Sequence, residues 1–218
     1  MRAIVVAGGR PSAGEAWKRW VRPGDLVIGA DGGAAQALAW GLTPDLVIGD
    51  MDSLPDAARA GLEANGRAFI VHPRAKDETD LELALTYAVD RGFDDIIILG
   101  ALGGRLDHTL ANVLLLALPR LAGAQVRIVD GGQVALLARP GRPVTLHGQP
   151  GDLVSLLPLG GDASGVTTAG LAWPLDGDTL PFGASRGVSN EMTAPLARVQ
   201  VEAGHLLVVH TSLPEPGR

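Results

Sequence analysis

Apolar residues in the first 130 positions fall into short, mostly β-branched runs separated by stretches of helical character. The runs at 3–7, 26–29, 46–48, 68–71, 96–99 and 126–129 are continuous, the pattern of strands buried on both faces of a parallel sheet. Between most of them lie segments at 34–40, 56–64, 78–91 and 106–118 that read as helices. Strands alternating with helices predict an N-terminal α/β fold with a doubly wound, mainly parallel sheet. Past about Asp130 the helical segments stop. Short runs at 134–138, 144–147, 153–157, 165–168, 197–201 and 206–210 are punctuated by Gly and Pro, which predicts a C-terminal antiparallel β-sandwich or part-barrel. The expected division is an α/β domain over 1–130 and a β-sandwich domain over 131–218, with residues 214–218 read as a frayed tail. One near-repeat stands out: Asp25-Leu-Val-Ile-Gly-Ala-Asp31 resembles Asp45-Leu-Val-Ile-Gly-Asp50. Each is a strand that ends in Gly and is followed by a carboxylate.

Composition narrows the classes. The 218 residues allow one large domain or two small ones. No apolar run approaches the roughly 18 residues of a membrane span, and the run at 3–7 is too short for a signal-peptide core. Cysteine is absent, which excludes disulfides, thiolate zinc sites and a cysteine nucleophile, and fits a cytoplasmic protein. A net charge of −6 without a basic stripe argues against a nucleic-acid partner. The acids are skewed to 17 Asp against 7 Glu, and twelve of those Asp lie between Asp25 and Asp107. Lys18 and Lys76 are the only lysines.

Ligands of open α/β sheets bind beyond the carboxyl ends of the strands. Asp31, Asp50 and Asp52 are expected there. The i, i+2 pair Asp50 and Asp52, just past a strand, can turn two carboxylates to one side. Their repulsion is relieved by a divalent cation such as Mg²⁺, which takes carboxylates, waters and substrate phosphates as ligands; the competing reading is turn chemistry. In Lys76-Asp77-Glu78-Thr79-Asp80, Asp77 is placed as a helix N-cap. Asp80 is either its capping partner or a third metal carboxylate, and Lys76 is either a phosphate contact or a surface lysine. The run Gly100-Ala-Leu-Gly103-Gly104-Arg105-Leu-Asp107-His108 joins a strand to a helix. Glycines there let backbone N–H groups approach an anion, with Arg105 able to fork onto phosphate oxygens. Gly8-Gly9 after the first strand has the same reading. Neither turn matches a dinucleotide fingerprint or a phosphate-binding loop with its lysine. Of five scattered histidines, His205 and His210 read as structural, and His108 beside Asp107 has a catalytic reading.

These blocks, in this order, identify a family. Ala30-Asp31-Gly32-Gly33-Ala34, Pro44 to Leu54, Lys76 to Asp80, Gly103 to His108 with Leu110-Ala111-Asn112, then Gly170-Leu-Ala-Trp173-Pro-Leu175 and Ser185-Arg-Gly-Val-Ser189-Asn190-Glu191 resemble thiamine pyrophosphokinase across roughly residues 1–210. The resemblance implies an α/β catalytic domain, a thiamine-binding β-sandwich and a homodimer with active sites at the subunit interface. It implies transfer of a pyrophosphoryl group from ATP to the hydroxyl of thiamine, with release of AMP. By the matched positions, Asp50, Asp52 and Asp80 are expected to hold Mg²⁺. Asp31, Gly32, Lys76, Asp77, Thr79, Gly103, Gly104, Arg105 and Asp107 are expected to line the nucleotide and phosphate site with Gly8 and Gly9. Trp173, Ser189 and Asn190 are expected to contact thiamine. An indole face suits that cationic aromatic, although Trp173 could equally pack in the sandwich core.

Phosphoryl-type transfer needs positioning and charge neutralisation more than covalent help, and Asp107 is a candidate base by position. Three rivals remain open at this point: a Mg²⁺-dependent phosphatase with Asp50 as nucleophile, a related pyrophosphokinase acting on another alcohol such as a pterin, and a non-enzymatic nucleotide sensor.

Overall fold

The computed structural model describes residues 1–10 and 15–213; the tail expected at 214–218 lies outside the described residues. The chain divides into two compact units, Met1–Gly131 and Gly132–Arg218.

The first unit carries six parallel strands, β1 (Arg2–Val6), β2 (Leu26–Ala30), β3 (Leu46–Gly49), β4 (Ala68–Val71), β5 (Asp95–Leu99) and β6 (Gln125–Asp130). Their spatial order is β6-β5-β1-β2-β3-β4. The chain therefore runs outward from β1 to β4 and restarts at β5 on the other side of β1. The helices are α1 (Gly33–Ala39), α2 (Asp56–Ala64), α3 (Asp80–Asp90) and α4 (Leu106–Leu114). The continuous apolar runs are buried: Ile4, Ile28, Ile48 and Ile96 to Leu99 are almost wholly out of water. At the edge, β4 leaves Val71 exposed. Gly29 is required by packing, because a Cβ there would sit 2.6 Å from that of Ala34 on α1.

Two helix boundaries differ from expectation by more than one residue. Helix α3 starts at Asp80, two residues later than expected, and its N-cap is Thr79, whose Oγ1 accepts the Glu82 N–H at 3.2 Å. Thr79 through Glu82 matches the threonine-x-x-glutamate cap, so the N-cap assigned to Asp77 is corrected; Asp77 is exposed. Helix α4 ends at Leu114 and tightens into a 3-10 turn over Leu115–Ala117, because Pro119 excludes its predecessor from helical geometry.

The second unit is built from antiparallel strands. One sheet has the order β12-β9-β14-β7, from β12 (Asn190–Glu191), β9 (Leu153–Pro158), β14 (Leu206–Thr211) and β7 (Gln133–Ala138). The other is β11-β10-β13-β8, from β11 (Asp178–Leu180), β10 (Ala163–Ala169), β13 (Leu196–Gln200) and β8 (Val144–His147). Burial alternates along β7, β8, β9 and β13, giving each sheet one apolar face, as a β-sandwich requires. β11 and β12 have three and two residues, too short to register as apolar runs.

Candidate active site

The two near-repeat strands lie side by side as β2 and β3, with Ala30 opposite Ile48. Their opening aspartates are structural. Asp25 pairs with Arg2 at 3.2 Å in a buried position, while Asp45 accepts the Val27 N–H at 3.0 Å and pairs with Arg67 at 2.9 Å. The closing aspartates have a different setting. Asp31 and Met51 both adopt the left-handed backbone region, with φ of 45° and 66°, a strained choice for residues with side chains that recurs at functional sites. Those two turns bring Asp31, Asp50 and Asp52 together, with one carboxylate oxygen from each within 4.8 Å of the others.

Local hydrogen bonds hold this loop. Asp31 Oδ2 accepts the Ser53 N–H at 3.0 Å, Asp50 Oδ1 accepts the Asp52 N–H at 3.1 Å, and Ser53 Oγ donates to Asp52 Oδ1 at 3.0 Å. Asp31 Oδ1 remains buried without a hydrogen-bond partner. Asp80, at the first turn of α3, faces the same space. Its Oδ1 is buried and has no aligned donor, although the Lys76 ammonium lies 3.1 Å away. Lys76 Nζ is also 3.1 Å from Asp50 Oδ2. The residue that lets the two sides close is Gly49: a Cβ there would lie 2.8 Å from Asp31 Cβ and 3.0 Å from the Asp80 carboxyl.

Burial and the nearby Asp80 charge raise the Asp31 pKa above its ordinary value, with the Ser53 hydrogen bonds opposing. The Asp52 N–H, and then Lys76, hold Asp50 below its ordinary value against partial burial. Burial alone would weaken the Lys76 charge, but Asp80 and Asp50 outweigh it and raise its pKa. Four carboxylates, two with buried unpartnered oxygens, form a hard-oxygen donor set that fits a divalent cation.

A cavity of about 630 Å³ opens beside this cluster. It lies past the carboxyl ends of β1, β2 and β5, where the strand order reverses. Asp31, Gly32, Lys76, Thr79 and Asp80 line one part of it, and Gly8, Gly9, Gly103, Gly104 and Arg105 another. Gly103 and Gly104 both have positive φ, near 81° and 82°. Asn112 Nδ2 anchors their loop by donating to the Ala101 carbonyl at 2.8 Å. Several expectations change here. The Gly9 N–H donates to Gly100 O at 2.8 Å and so does not face an anion; Gly9 is small because a Cβ would meet that carbonyl at 2.3 Å. Asp77 and Asp107 do not line the cavity. Asp107 is forked by Arg105, with Nε–Oδ1 at 3.1 Å and Nη2–Oδ2 at 2.5 Å. Arg105 and the His108 N–H lower its pKa to about 2, which weakens it as a proton acceptor while Arg105 is paired to it. His108 lines the cavity. Gly49, Ser53 and Asn112 were not singled out from the sequence as site residues. The shared Gly-carboxylate ending of β2 and β3 was the available signal for Gly49.

In the second unit, Trp173 is 60% exposed, which excludes the core-packing reading. Asn190 is buried and fixes the Trp173 backbone: Oδ1 accepts the Trp173 N–H at 3.0 Å and Nδ2 donates to the Trp173 carbonyl at 2.6 Å. Ser189 has φ of 60°, and its N–H donates to Ser155 Oγ at 3.1 Å. Trp173 and Asn190 are thus joined directly, with Ser189 adjacent in sequence, and the indole is largely exposed.

Comparison with known proteins bears on both units. The family model described as "Thiamin pyrophosphokinase, catalytic domain" matches residues 17–129, and "Thiamin pyrophosphokinase, vitamin B1 binding domain" matches residues 144–206. Thiamine pyrophosphokinase of Bacillus subtilis is 28% identical over 208 residues, 95% of this chain and 97% of the relative. Thiamine pyrophosphokinase 1 of Arabidopsis thaliana is 30% identical over 157 residues, 67% of this chain and 58% of the relative. The crystal structure of the Bacillus subtilis protein superposes with a TM-score of 0.87 at 26% identity, covering 97% of this chain and 99% of that one. The yeast enzyme, at 15% identity, shares the fold with a TM-score of 0.79 over 97% of this chain and 86% of that one. With one family domain matched on the strand-end carboxylates and the other on the exposed tryptophan and its asparagine, the chain belongs to the thiamin pyrophosphokinase family.

Proposed function

We propose that this protein is an ATP-dependent pyrophosphokinase that transfers the β,γ-pyrophosphoryl group of ATP to the hydroxyl of thiamine, giving thiamine diphosphate and AMP. The observation that carries the reading is the cluster of Asp31, Asp50 and Asp52 with Asp80 alongside, Lys76 bridging Asp50 and Asp80, beside a cavity bordered by glycine turns and Arg105. In this reading the cation is Mg²⁺, held by Asp50, Asp52 and Asp80 with Asp31 alongside. It would supply neutralisation of the phosphate oxygens.

The chain's own residues do the rest. Arg105 already presents a planar fork to a carboxylate and exchanges it for phosphate oxygens, which it matches equally well. Gly8, Gly32, Gly103 and Gly104 keep the cavity wall free of side chains so that the phosphate chain can approach the backbone. Trp173 stacks on thiamine, Asn190 holds that tryptophan's turn, and Ser189 lies beside Asn190 as a further thiamine contact. Asp107 positions Arg105 in the absence of nucleotide. No strong base is needed, because the transition state of such transfers is loose.

The phosphatase reading is disfavoured by the match of residues 17–129 to a thiamin pyrophosphokinase catalytic domain. The match to a vitamin B1 binding domain favours thiamine over a pterin. We further propose a homodimer with the active site at the subunit interface. The feature that supports it is the stripe Leu106, Leu110 and Leu114 on α4, which is exposed, lies on one helical face and begins beside Arg105. Among the described residues no helix is long and apolar enough to cross a membrane, consistent with a cytoplasmic location.

Incubation with ATP, Mg²⁺ and thiamine, followed by chromatography, tests the reaction. AMP and thiamine diphosphate in equal amounts are expected. Stoichiometric ADP would overturn the reaction type, and thiamine-independent phosphate would favour hydrolysis. Sedimentation of the wild type and of Leu110→Asp tests the dimer, which the substitution is expected to dissociate.

A further inference from the structure

We infer that Lys76 is the resident counter-cation of the carboxylate site: its ammonium holds the Asp50–Asp80 gap while no metal is bound and yields that gap to a divalent ion. The inference rests on the metal reading above and gives Lys76 a role beyond phosphate contact.

Three observations carry it. First, the ammonium is equidistant from its two partners, 3.1 Å from Asp50 Oδ2 and 3.1 Å from Asp80 Oδ1, with only 12% of the side chain exposed. It is a shielded bridge between carboxylates from two different elements, the end of β3 and the start of α3. Second, the satisfaction it provides is incomplete. Asp80 Oδ1 is buried and lacks an aligned donor despite the ion pair, and Asp31 Oδ1 has no hydrogen-bond partner. A lysine donates along three fixed directions, whereas a divalent ion can accept several oxygen ligands at once and carries twice the charge. The pocket is therefore better matched to a metal than to the lysine inside it. Third, the cation is an ammonium in a chain whose other basic side chains are arginines, apart from Lys18. A guanidinium is a flat fork that suits a single carboxylate, as at Arg105. An ammonium is a compact point charge on a flexible stem, able to fill a metal-sized gap and then swing away.

The consequence is an ordered exchange. Without metal, Lys76 keeps Asp50 and Asp80 from repelling one another and so holds the end of β3 against the start of α3. When the metal enters, it takes over neutralisation of the carboxylates, and the displaced ammonium becomes available to the phosphate oxygens of the nucleotide. No proton transfer is required.

Thermal melting of the whole protein, without nucleotide or thiamine, tests this. It compares EDTA with millimolar Mg²⁺, the EDTA samples being matched in ionic strength with NaCl. In EDTA, Lys76→Gln is expected to melt roughly 2–8 °C below wild type. In Mg²⁺ that deficit is expected to close. The same deficit in both buffers, or none in either, would overturn the inference, since a packing role is indifferent to metal. Should Lys76→Gln not fold in EDTA, the double variant Lys76→Gln/Asp80→Asn decides. It removes the repulsion with the lysine and is expected to melt near wild type in EDTA, with little gain from Mg²⁺. A double variant that also fails to fold, or melts far below wild type in EDTA, overturns the inference. These melts are independent of product formation. Metal rescue without any thiamine diphosphate would sink the proposed reaction alone, and thiamine diphosphate formation without metal rescue would sink the counter-cation alone.

Discussion

Asp31 and Asp152 are the same residue type at nearly the same burial, 4% and 2% exposed, and their surroundings are opposite. Asp152, in the second unit, has three donors: the Gln149 N–H and His210 Nε2 on Oδ2, and the Leu213 N–H on Oδ1, each at 3.0 Å. Gly148 closes over the pair, since a Cβ there would meet Asp152 Oδ2 at 2.5 Å and His210 Nε2 at 2.9 Å. Asp31 has one donor on Oδ2, a neighbouring carboxylate in Asp80 and a bare Oδ1. Burial pushes both carboxylates toward the neutral form. The donors around Asp152 reverse that and leave its pKa lowered, whereas Asp31 remains raised. Buried polar groups are normally satisfied, so a satisfied buried carboxylate marks architecture and an unsatisfied one marks a site awaiting a ligand. Asp152 ties the start of β9 to the end of β14 through both oxygens; Asp31 ties the end of β2 to the Ser53 loop through one oxygen and leaves the other bare.

The comparison breaks most visibly at the metal carboxylates. Asp50→Asn and Asp52→Asn are expected to reduce turnover at least about a hundredfold, the scale of removing one preorganised electrostatic group, and to leave the far-UV circular dichroism unchanged. Activity within a few-fold of wild type would place them in the architectural class with Asp25 and Asp45. Next in size is Gly49→Ala. Its methyl would press on Asp31 and on the Asp80 carboxyl, with an expected loss of about 1–3 kcal/mol of stability, as for overpacking elsewhere, and a loss of activity that extra Mg²⁺ does not restore. Denaturant melts and a Mg²⁺ titration of the rate check both parts.

Asp152→Asn tests the architectural side. Removing the charge that three donors surround should lower stability by about 1–3 kcal/mol and leave the KM values for ATP and thiamine alone. Because the folded-state pKa of Asp152 lies below its ordinary value of 3.8, its contribution is fully present above that value and fades as pH falls through the lowered one. Denaturant melts from pH 7 downward should show wild type losing stability below about pH 4, with that part of the slope missing in Asp152→Asn. An identical slope would show that the donors do not hold the charge.

The most confined expected effect, limited to one ligand, is at the exposed tryptophan. Trp173→Ala should weaken thiamine binding by on the order of 1–3 kcal/mol, the scale of stacking on an aromatic face. ATP binding and the melting temperature should stay as they are, because the indole is largely in solvent. Calorimetric titration with each ligand separates the two, and unchanged thiamine affinity would remove Trp173 from the site.

Hydrophobic period and turn residues alone determined the six parallel strands, the four helices and the antiparallel second half, because continuous β-branched runs and Gly-punctuated alternation each have few ways to be buried. Asp50 and Asp52 were legible for a related reason: two carboxylates past a strand end have few stable settings. The short strands β11 and β12 were not legible, since two or three residues carry no period. Nor was the division of labour among the aspartates. Asp25, Asp31, Asp45 and Asp50 occupy matching places in two near-identical segments, and composition treats them alike. Only the tertiary structure supplied Arg2 to Asp25 and Arg67 to Asp45, set Lys76 between Asp50 and Asp80, and left an oxygen of Asp31 bare. The reason is that a carboxylate's role depends on which donors the fold brings within about 3 Å of it, and those donors come from residues distant in the sequence.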